Sequence, residues 1–459
     1  MSFVVVRRHM DIATLLSAAL LASACVSGGT GGGTAAPVAD IKVSSDASAG
    51  ETGGDAVVDI TVVDAPGADG AKADAAPDAK AETVTPDTKA DTLPPEGLDA
   101  FMLDRMAAAE IPGLSACIFT KGKIVWCKAW GEADIDAKTK ATANTVYGIG
   151  SLSATVTGVA LLQLVEAGKL ALDDDIDKHL PFSVRNPSFP KDKITPRMLL
   201  AHTSGIQDTS TDALVEAMFV PDDPTETLAQ FAANAFKPGG KYYDKANFTK
   251  VAPGAEYAPS TWGIALAGYL VEVVAKQPFD AYCAAKIFGP LKMTATTWRF
   301  SKVDPKALAT MYFLDDQGED VELVAWSFAT FLGYPASNLY TSAADYARFF
   351  FAISQGGSLD GAQILKPATV ATMLTPVIEI EEGFEQSLTW TQVDLEDGQL
   401  IGQNGGLDST GVEAYYRVGD KTGYVLFTNG GWSYSETDED DLIVYEIEDR
   451  LLEEADLVK

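Results

Sequence analysis

Residues 151–168, SLSATVTGVALLQLVEAG, place apolar or small side chains at nearly every position. A surface helix shows one apolar stripe, whereas a helix that is apolar all round must be enclosed on every side. The stretch from about 152 to 167 therefore reads as a central buried helix, with Gly168 suited to its C-terminal cap. Enclosing it takes a large body. The chain has 459 residues, 47% of them hydrophobic, which is ample for such a core. Just before the helix, YGIGS sets Gly148 and Gly150 around a short run that ends at Ser151. A serine there reads either as a helix cap or as a nucleophile at the mouth of a buried helix.

The first 94 residues of the chain are different. Arg7 and Arg8 precede IATLLSAALLASA, an apolar run too short to span a bilayer comfortably, and Ala22, Ser23 and Ala24 lead to Cys25. This is the pattern of a signal peptide with a small-residue cleavage site. LLASAC resembles a bacterial lipobox, with Cys25 as the lipidated residue, although Ala22 stands where leucine is usual. The expectation is an exported, membrane-anchored lipoprotein facing the periplasm or cell surface. Residues 26–94 are rich in Gly, Ala, Pro, Asp, Thr and Lys and contain no aromatic residue. Such a segment cannot bury enough apolar surface to offset its ordering entropy and reads as a disordered acidic tether. VVDITVV, 57–63, has strand character but stands alone and is assigned to the tether.

Residues 95–459 form the folded part. Leu98, Phe101, Met102 and Met106 share one face of a first helix that Pro112-Gly113 ends. LSACIFTKGKIVWCKAWG reads as a hairpin around Lys121-Gly122. Its Cys117 and Cys127 lie nearly opposite each other. A disulfide needs the register to bring their Cβ atoms close, and two buried free thiols are the preferred reading. WGIALAGYLVEVVAK and FDAYCAAKIF are helical; GVEAYYRV and GYVLFTN read as paired strands around GDKTG. The last helix aligns Ile443, Ile447 and Leu451. Strands at both ends with helices between them imply an α/β (α+β) fold: one antiparallel sheet flanked by N- and C-terminal helices, with an inserted helical lobe.

Charge and composition exclude other classes. A formal net charge of -31 opposes phosphate binding, so nucleic acid is not a partner. Four scattered cysteines and three histidines hold no CxxC pair, so neither a zinc site nor another cofactor is expected.

Several segments, taken in order, resemble the serine β-lactamase, penicillin-binding DD-peptidase and esterase superfamily, nearest to its class C-like branch. They are IPGLSACIFTKGKIVWCKAWGEAD, VYGIGSLSATVTGVALLQLVEAGKLALDDDIDKHLP, ITPRMLLAHTSGIQD, FDAYCAAKIFGPLKMTATTW, YTSAADYARFFFAISQGGSLDGAQILKPATVATML and IGQNGGLDSTGVEAYYRVGDKTGYVLFTNGG. The resemblance implies acyl transfer through a serine ester. In that family a Ser-x-x-Lys motif starts the buried helix, a Tyr-x-Asn motif supplies a partner base, and a His/Lys-x-Gly motif lies on an edge strand. Two backbone N–H groups form the oxyanion hole.

Carried onto this chain, the serine position is Ser151 and the lysine position is Ala154. PGAEYAPSTWG matches the second motif's frame without gaps, which puts Pro259 at the tyrosine position and Thr261 at the asparagine position. Tyr257 takes an inward-packing aromatic position, and Ser260 lies between. The third motif reads Gln403-Asn404-Gly405-Gly406, so Gln403 replaces the cation and the Gly406 N–H is the second oxyanion donor. Alanine and proline do not titrate, and glutamine takes up no proton near neutrality. These replacements predict a pseudoenzyme: an envelope protein that binds a cell-wall peptide, a small acyl or ester ligand, or an envelope protein. The alternative is a working serine esterase or DD-peptidase acting through a Ser151 acyl-enzyme, with Ser153, Tyr257, Ser260 or Lys250 supplying the base.

Other matches read as structural. Lys421-Thr422-Gly423 falls in a turn between strands. Ser188-Phe-Pro-Lys191 cannot be helical across Pro190. Asp173-Asp174-Asp175 reads as a solvated turn, and His202 as a packing residue.

Overall fold

The structure is a computed structural model, and it describes residues 97–208, 218–315, 322–326, 329–395, 398–407, 410–430 and 440–458. The signal segment, Cys25, the tether and the 57–63 stretch lie outside the described residues.

Helix α1 (Leu98–Ala108) leads into strands β1 (Gly113–Thr120), β2 (Lys123–Asp134) and β3 (Thr139–Lys140). The chain returns to the same sheet late, as β4 (Ile378–Glu381), β5 (Phe384–Gln386), β6 (Thr391–Leu395), β7 (Gly398–Leu407), β8 (Thr410–Arg417) and β9 (Gly423–Thr428). These make a nine-stranded antiparallel sheet in the order β4-β5-β6-β7-β8-β9-β1-β2-β3. Ala116 faces Leu426 across β1 and β9, so the two ends of the folded part meet inside the sheet.

Strand alternation divides the core in two. Leu114, Ala116 and Ile118 pack on one face against Leu98, Met102 and Met106 of α1. Ile447, Leu451 and Ala455 of the last helix, α5 (Asp440–Asp456), join them there, and Ile443 packs alongside. Cys117 and Phe119 point to the other face, where helix α2 (Ser153–Glu166) is enclosed. Eleven of the fourteen residues of α2 are buried, as an all-round apolar pattern requires. Each fully buried leucine in it, such as Leu161 or Leu162, contributes roughly 1.5–3 kcal/mol. Gly168 follows the helix with φ 66, the left-handed conformation that favours glycine at a helix end. Helix α3 (Thr261–Ala275) packs on α2, and helix α4 (Ala343–Ser354) reaches it through Tyr346, whose hydroxyl pairs with Thr155. Phe350 of α4 meets Phe119 of β1 edge-on at 5.6 Å and stacks on Trp390 at 5.5 Å, joining helix to sheet.

Two expectations change. Cys117 and Cys127 are directly opposed in β1 and β2, with their Cα atoms 4.0 Å apart, and they form a disulfide rather than two free thiols. Opposed antiparallel residues stand close enough for this whenever the register pairs them, and here it does. FDAYCAAKIF is not one regular helix: Phe279–Cys283 is α-helical, and Ala284–Phe288 opens into a wider π turn.

Candidate acyl-transfer site

Ser151 lies in a short 3-10 turn, Gly150–Leu152, immediately before α2. The turn is held from behind. Val146–Gly148 pairs antiparallel with Tyr340–Ser342, and Ile149 N donates to Leu339 O at 3.0 Å. Two glycines then let strand β7 press its backbone against the turn. Gly150 has φ 47, and a Cβ on it would stand 2.5 Å from Gly406 O and 2.9 Å from Gly406 N. A Cβ on Gly405 would stand 2.5 Å from Leu152 N and 3.1 Å from Ser151 N. Neither position tolerates a side chain, and the Ser151 and Gly406 amides lie on one small patch of backbone.

The serine itself is exposed, and among the described residues its hydroxyl has no hydrogen-bond partner. It does not cap α2, whose N-cap residue is Leu152 with no side-chain bond. Its neighbours on α2 are bound. Ser153 Oγ accepts from Leu339 N at 3.1 Å. Thr155 Oγ1 donates to Leu152 O at 2.7 Å and pairs with Tyr346 OH at 2.9 Å. Thr157 Oγ1 donates to Pro335 O at 2.6 Å. Ala154, one turn from Ser151, is buried and offers only a methyl group.

The second segment is equally well anchored. Ser260 caps α3 by accepting from Gly263 N at 2.9 Å, and its hydroxyl donates to Asp208 Oδ1, also at 2.9 Å. The Asp208 carboxylate further accepts from Thr261 N at 2.9 Å and Trp262 N at 3.0 Å, a favourable place for negative charge at a helix start. Burial nonetheless pushes the Asp208 carboxyl above its ordinary range. His202 Nδ1 accepts from Ser260 N at 3.1 Å, and burial lowers this imidazole to about 4, so it stays neutral near pH 7. Tyr257 packs edge-on against the His202 ring at 6.0 Å, and burial raises its phenol to about 12. Pro259 occupies the position between them without a titratable group.

On β7, Ile401 belongs to the α2 side of the sheet and Leu400 to the α1 side. Alternation puts Gln403 and Gly405 on the α2 side, whereas Asn404, opposite Glu413, is directed to the other face. Gln403 is half-buried, and its Oε1 accepts from Thr391 Oγ1 at 2.9 Å.

The structure therefore brings Ser151, Gly405 and Gly406 into direct proximity, and leaves Asn404 facing away. The residues proposed as substitute bases are committed elsewhere: Ser153 to Leu339, Ser260 to Asp208 and Gly263, and Tyr257 to packing against His202 with its phenol raised. Lys250 is exposed and makes no ion pair among the described residues. Asp208 and Thr391 escaped the sequence reading. A lone acid ending HTSGIQD was a signal for the first; the second depends on strand register, which no local pattern shows.

The remaining matches are structural. Lys421 has φ 60 in the β8–β9 turn, and its Nζ lies 5.0 Å over the Tyr416 ring. Asp173 pairs with Arg197, Asp174 with Lys178, and Asp175 with Arg185. A shallow depression lined by Met106, Glu110, Pro112 and Leu323 includes none of the residues around Ser151.

Sheet, enclosed helix and serine turn together define a serine-hydrolase architecture. A family model described as Beta-lactamase matches residues 98–447, and the chain belongs to that family. Protein flp of Staphylococcus aureus (strain N315) is 32% identical over 204 residues, 44% of this chain and 38% of that protein. The chain thus spans well under half the length of this curated relative. Among solved structures, the octameric penicillin-binding protein homologue from Pyrococcus abyssi superposes with a TM-score of 0.65 at 24% identity, over 78% of this chain and 77% of that one. A class C beta-lactamase does so at 0.58 and 21% identity, over 76% of this chain and 94% of its own. At these identities the likeness is one of fold.

Proposed function

We propose that this protein is a cell-envelope member of the family that binds its ligand and is impaired in turning it over. The observation that carries this reading is the surroundings of Ser151: an exposed hydroxyl with no hydrogen-bond partner among the described residues, and Ala154, Pro259 and Gln403 where titratable groups are expected. A serine hydroxyl is a weak nucleophile until a base removes its proton, and a positioned base is worth roughly 10²–10⁴-fold in rate. Backbone amides still polarise a carbonyl without a base, so slow acylation is the most such a site sustains. Its ligand is a peptidoglycan peptide or a related acyl or amide group, with an envelope protein as a further partner. Cys25 serves as the lipid anchor, and residues 26–94 form the tether that carries the folded part away from the membrane. The Cys117–Cys127 disulfide is in keeping with export to an oxidising compartment.

A second reading is favoured by one observation: the Ser151 hydroxyl is exposed beside the Gly406 amide with no partner among the described residues, so a ligand that brings its own base transfers its acyl group to Ser151 Oγ, the base passing the hydroxyl proton to the departing amine or alcohol. Intact mass of the protein after incubation with a penicillin, and separately with a fluorophosphonate, tests both, with Ser151→Ala alongside. The expected result is no stoichiometric adduct with either reagent from a cooperatively folded sample. A rapidly formed stoichiometric adduct that disappears in Ser151→Ala would show Ser151 to be activated and overturn the impaired reading.

A further inference from the structure

We infer that the Ser151 site selects an uncharged acyl group, the carbonyl of an amide or ester with no free carboxylate beside it. The inference rests on the peptide-binding reading above and specifies the chemistry of the ligand. Among the described residues, the polar groups set beside the serine turn are neutral. The backbone amides of Ser151 and Gly406 are donors, and the Ser151 hydroxyl donates or accepts. Gln403 completes the set. Thr391 Oγ1 occupies its Oε1 at 2.9 Å, which orients the carboxamide and leaves its two N–H bonds without a partner among the described residues. Donors of this kind match a carbonyl oxygen.

Among the described hydrogen bonds and ion pairs, no lysine, arginine or histidine touches Ser151, Gln403 or Thr391. Arg417, which ends β8, and Lys421 in the turn after it lie at the opposite end of the strand pair: β7 and β8 run from Leu407–Thr410 beside the serine turn to Leu400–Arg417 at the far end. A carboxylate held against Gln403 would give up water without a counter-charge, which is costly. It would also approach a chain of formal net charge -31, whose field repels anions at long range. A neutral amide meets neither penalty. Specificity here arises from what the site lacks, through an unpaired charge on the wrong ligand. Applied to a cell-wall peptide, the inference means engagement at an internal, cross-linked or amidated position rather than at a free C-terminus.

The test is isothermal titration of the full chain with two matched probes, Nα-acetyl-D-alanyl-D-alanine and its C-terminal amide. The amide is expected to bind about tenfold more tightly at pH 7 and low salt, the scale a single unpaired charge produces. Raising the salt to screen the long-range field should narrow the gap. Gln403→Lys, confirmed folded by its thermal melt, should narrow or reverse it; Gln403→Met should keep the acid disfavoured while weakening the amide. Equal affinity for the two probes, or tighter binding of the acid, overturns the inference and leaves peptide binding standing. Failure of both probes to bind overturns the peptide-binding reading and this inference with it.

Discussion

The first turn of α2 and the exposed turn before it differ within a few residues. Ser153, Thr155 and Thr157 are buried hydroxyls, each with a named partner. Ser151 is exposed and its hydroxyl has none among the described residues. The same division holds at the start of α3. The backbone of the 259–261 segment is held by His202 and Asp208, yet its Pro259 carries no chemistry. The hydroxyls and backbone groups named here that hold the architecture have partners, and the positions that would move protons carry no titratable group. A buried polar group without a partner costs stability directly, whereas a missing base costs none. A chain can therefore keep such a fold intact without keeping its reaction.

The largest expected effect lies at His202. Unfolded, the imidazole takes up a proton below its ordinary 6.5; folded, it does so only near 4. Between those values the unfolded chain binds more protons, so stability falls as pH falls through that window, by on the order of 2–3 kcal/mol. Asp208 titrates with the opposite sign, because its raised folded value makes acidification favourable to the folded state. Comparison with His202→Asn isolates the histidine: asparagine tolerates the φ of 56 and retains an acceptor for Ser260 N. Urea unfolding between pH 7 and pH 4.5 should show a shallower acid loss in the variant. Equal slopes would remove His202 from the anchoring set.

A smaller effect is expected at Thr155. Thr155→Val keeps the shape but leaves the buried Tyr346 hydroxyl without this partner, at a cost of about 1–2 kcal/mol in urea unfolding at pH 7. The smallest belongs to Ser151. Ser151→Ala should change stability by no more than about 0.5 kcal/mol, because an exposed hydroxyl without a partner supports nothing. A loss near that of Thr155→Val would break the comparison, since it would show Ser151 to be part of the scaffold after all.

Much of this fold was legible from local pattern. The all-round apolar run of α2, the 3.6-residue spacing of Leu98, Met102 and Met106, and the hairpin at Lys121-Gly122 each appear as read. Strands β4 to β6 were not anticipated. They are three to five residues long, and pairing with neighbours stabilises them more than their own composition does. The small strand pair that braces the serine turn, Val146–Gly148 with Tyr340–Ser342, joins segments almost two hundred residues apart, which no local window can see.

By itself, the sequence determined what depends on residue identity and short-range spacing: an enclosed helix, a glycine-framed serine before it, and the absence of a titratable side chain at Ala154, Pro259 and Gln403. Only the tertiary structure decided what depends on register and on contact between distant segments. Register paired Cys117 with Cys127 and set Gln403 opposite Ala414. Distant contact brought Thr391 to Gln403, set Asp208 under α3, and pressed Gly405 and Gly406 onto the serine turn. The physical reason is that side-chain chemistry is a local property, whereas its partners are fixed by backbone pairing that closes over the length of the domain.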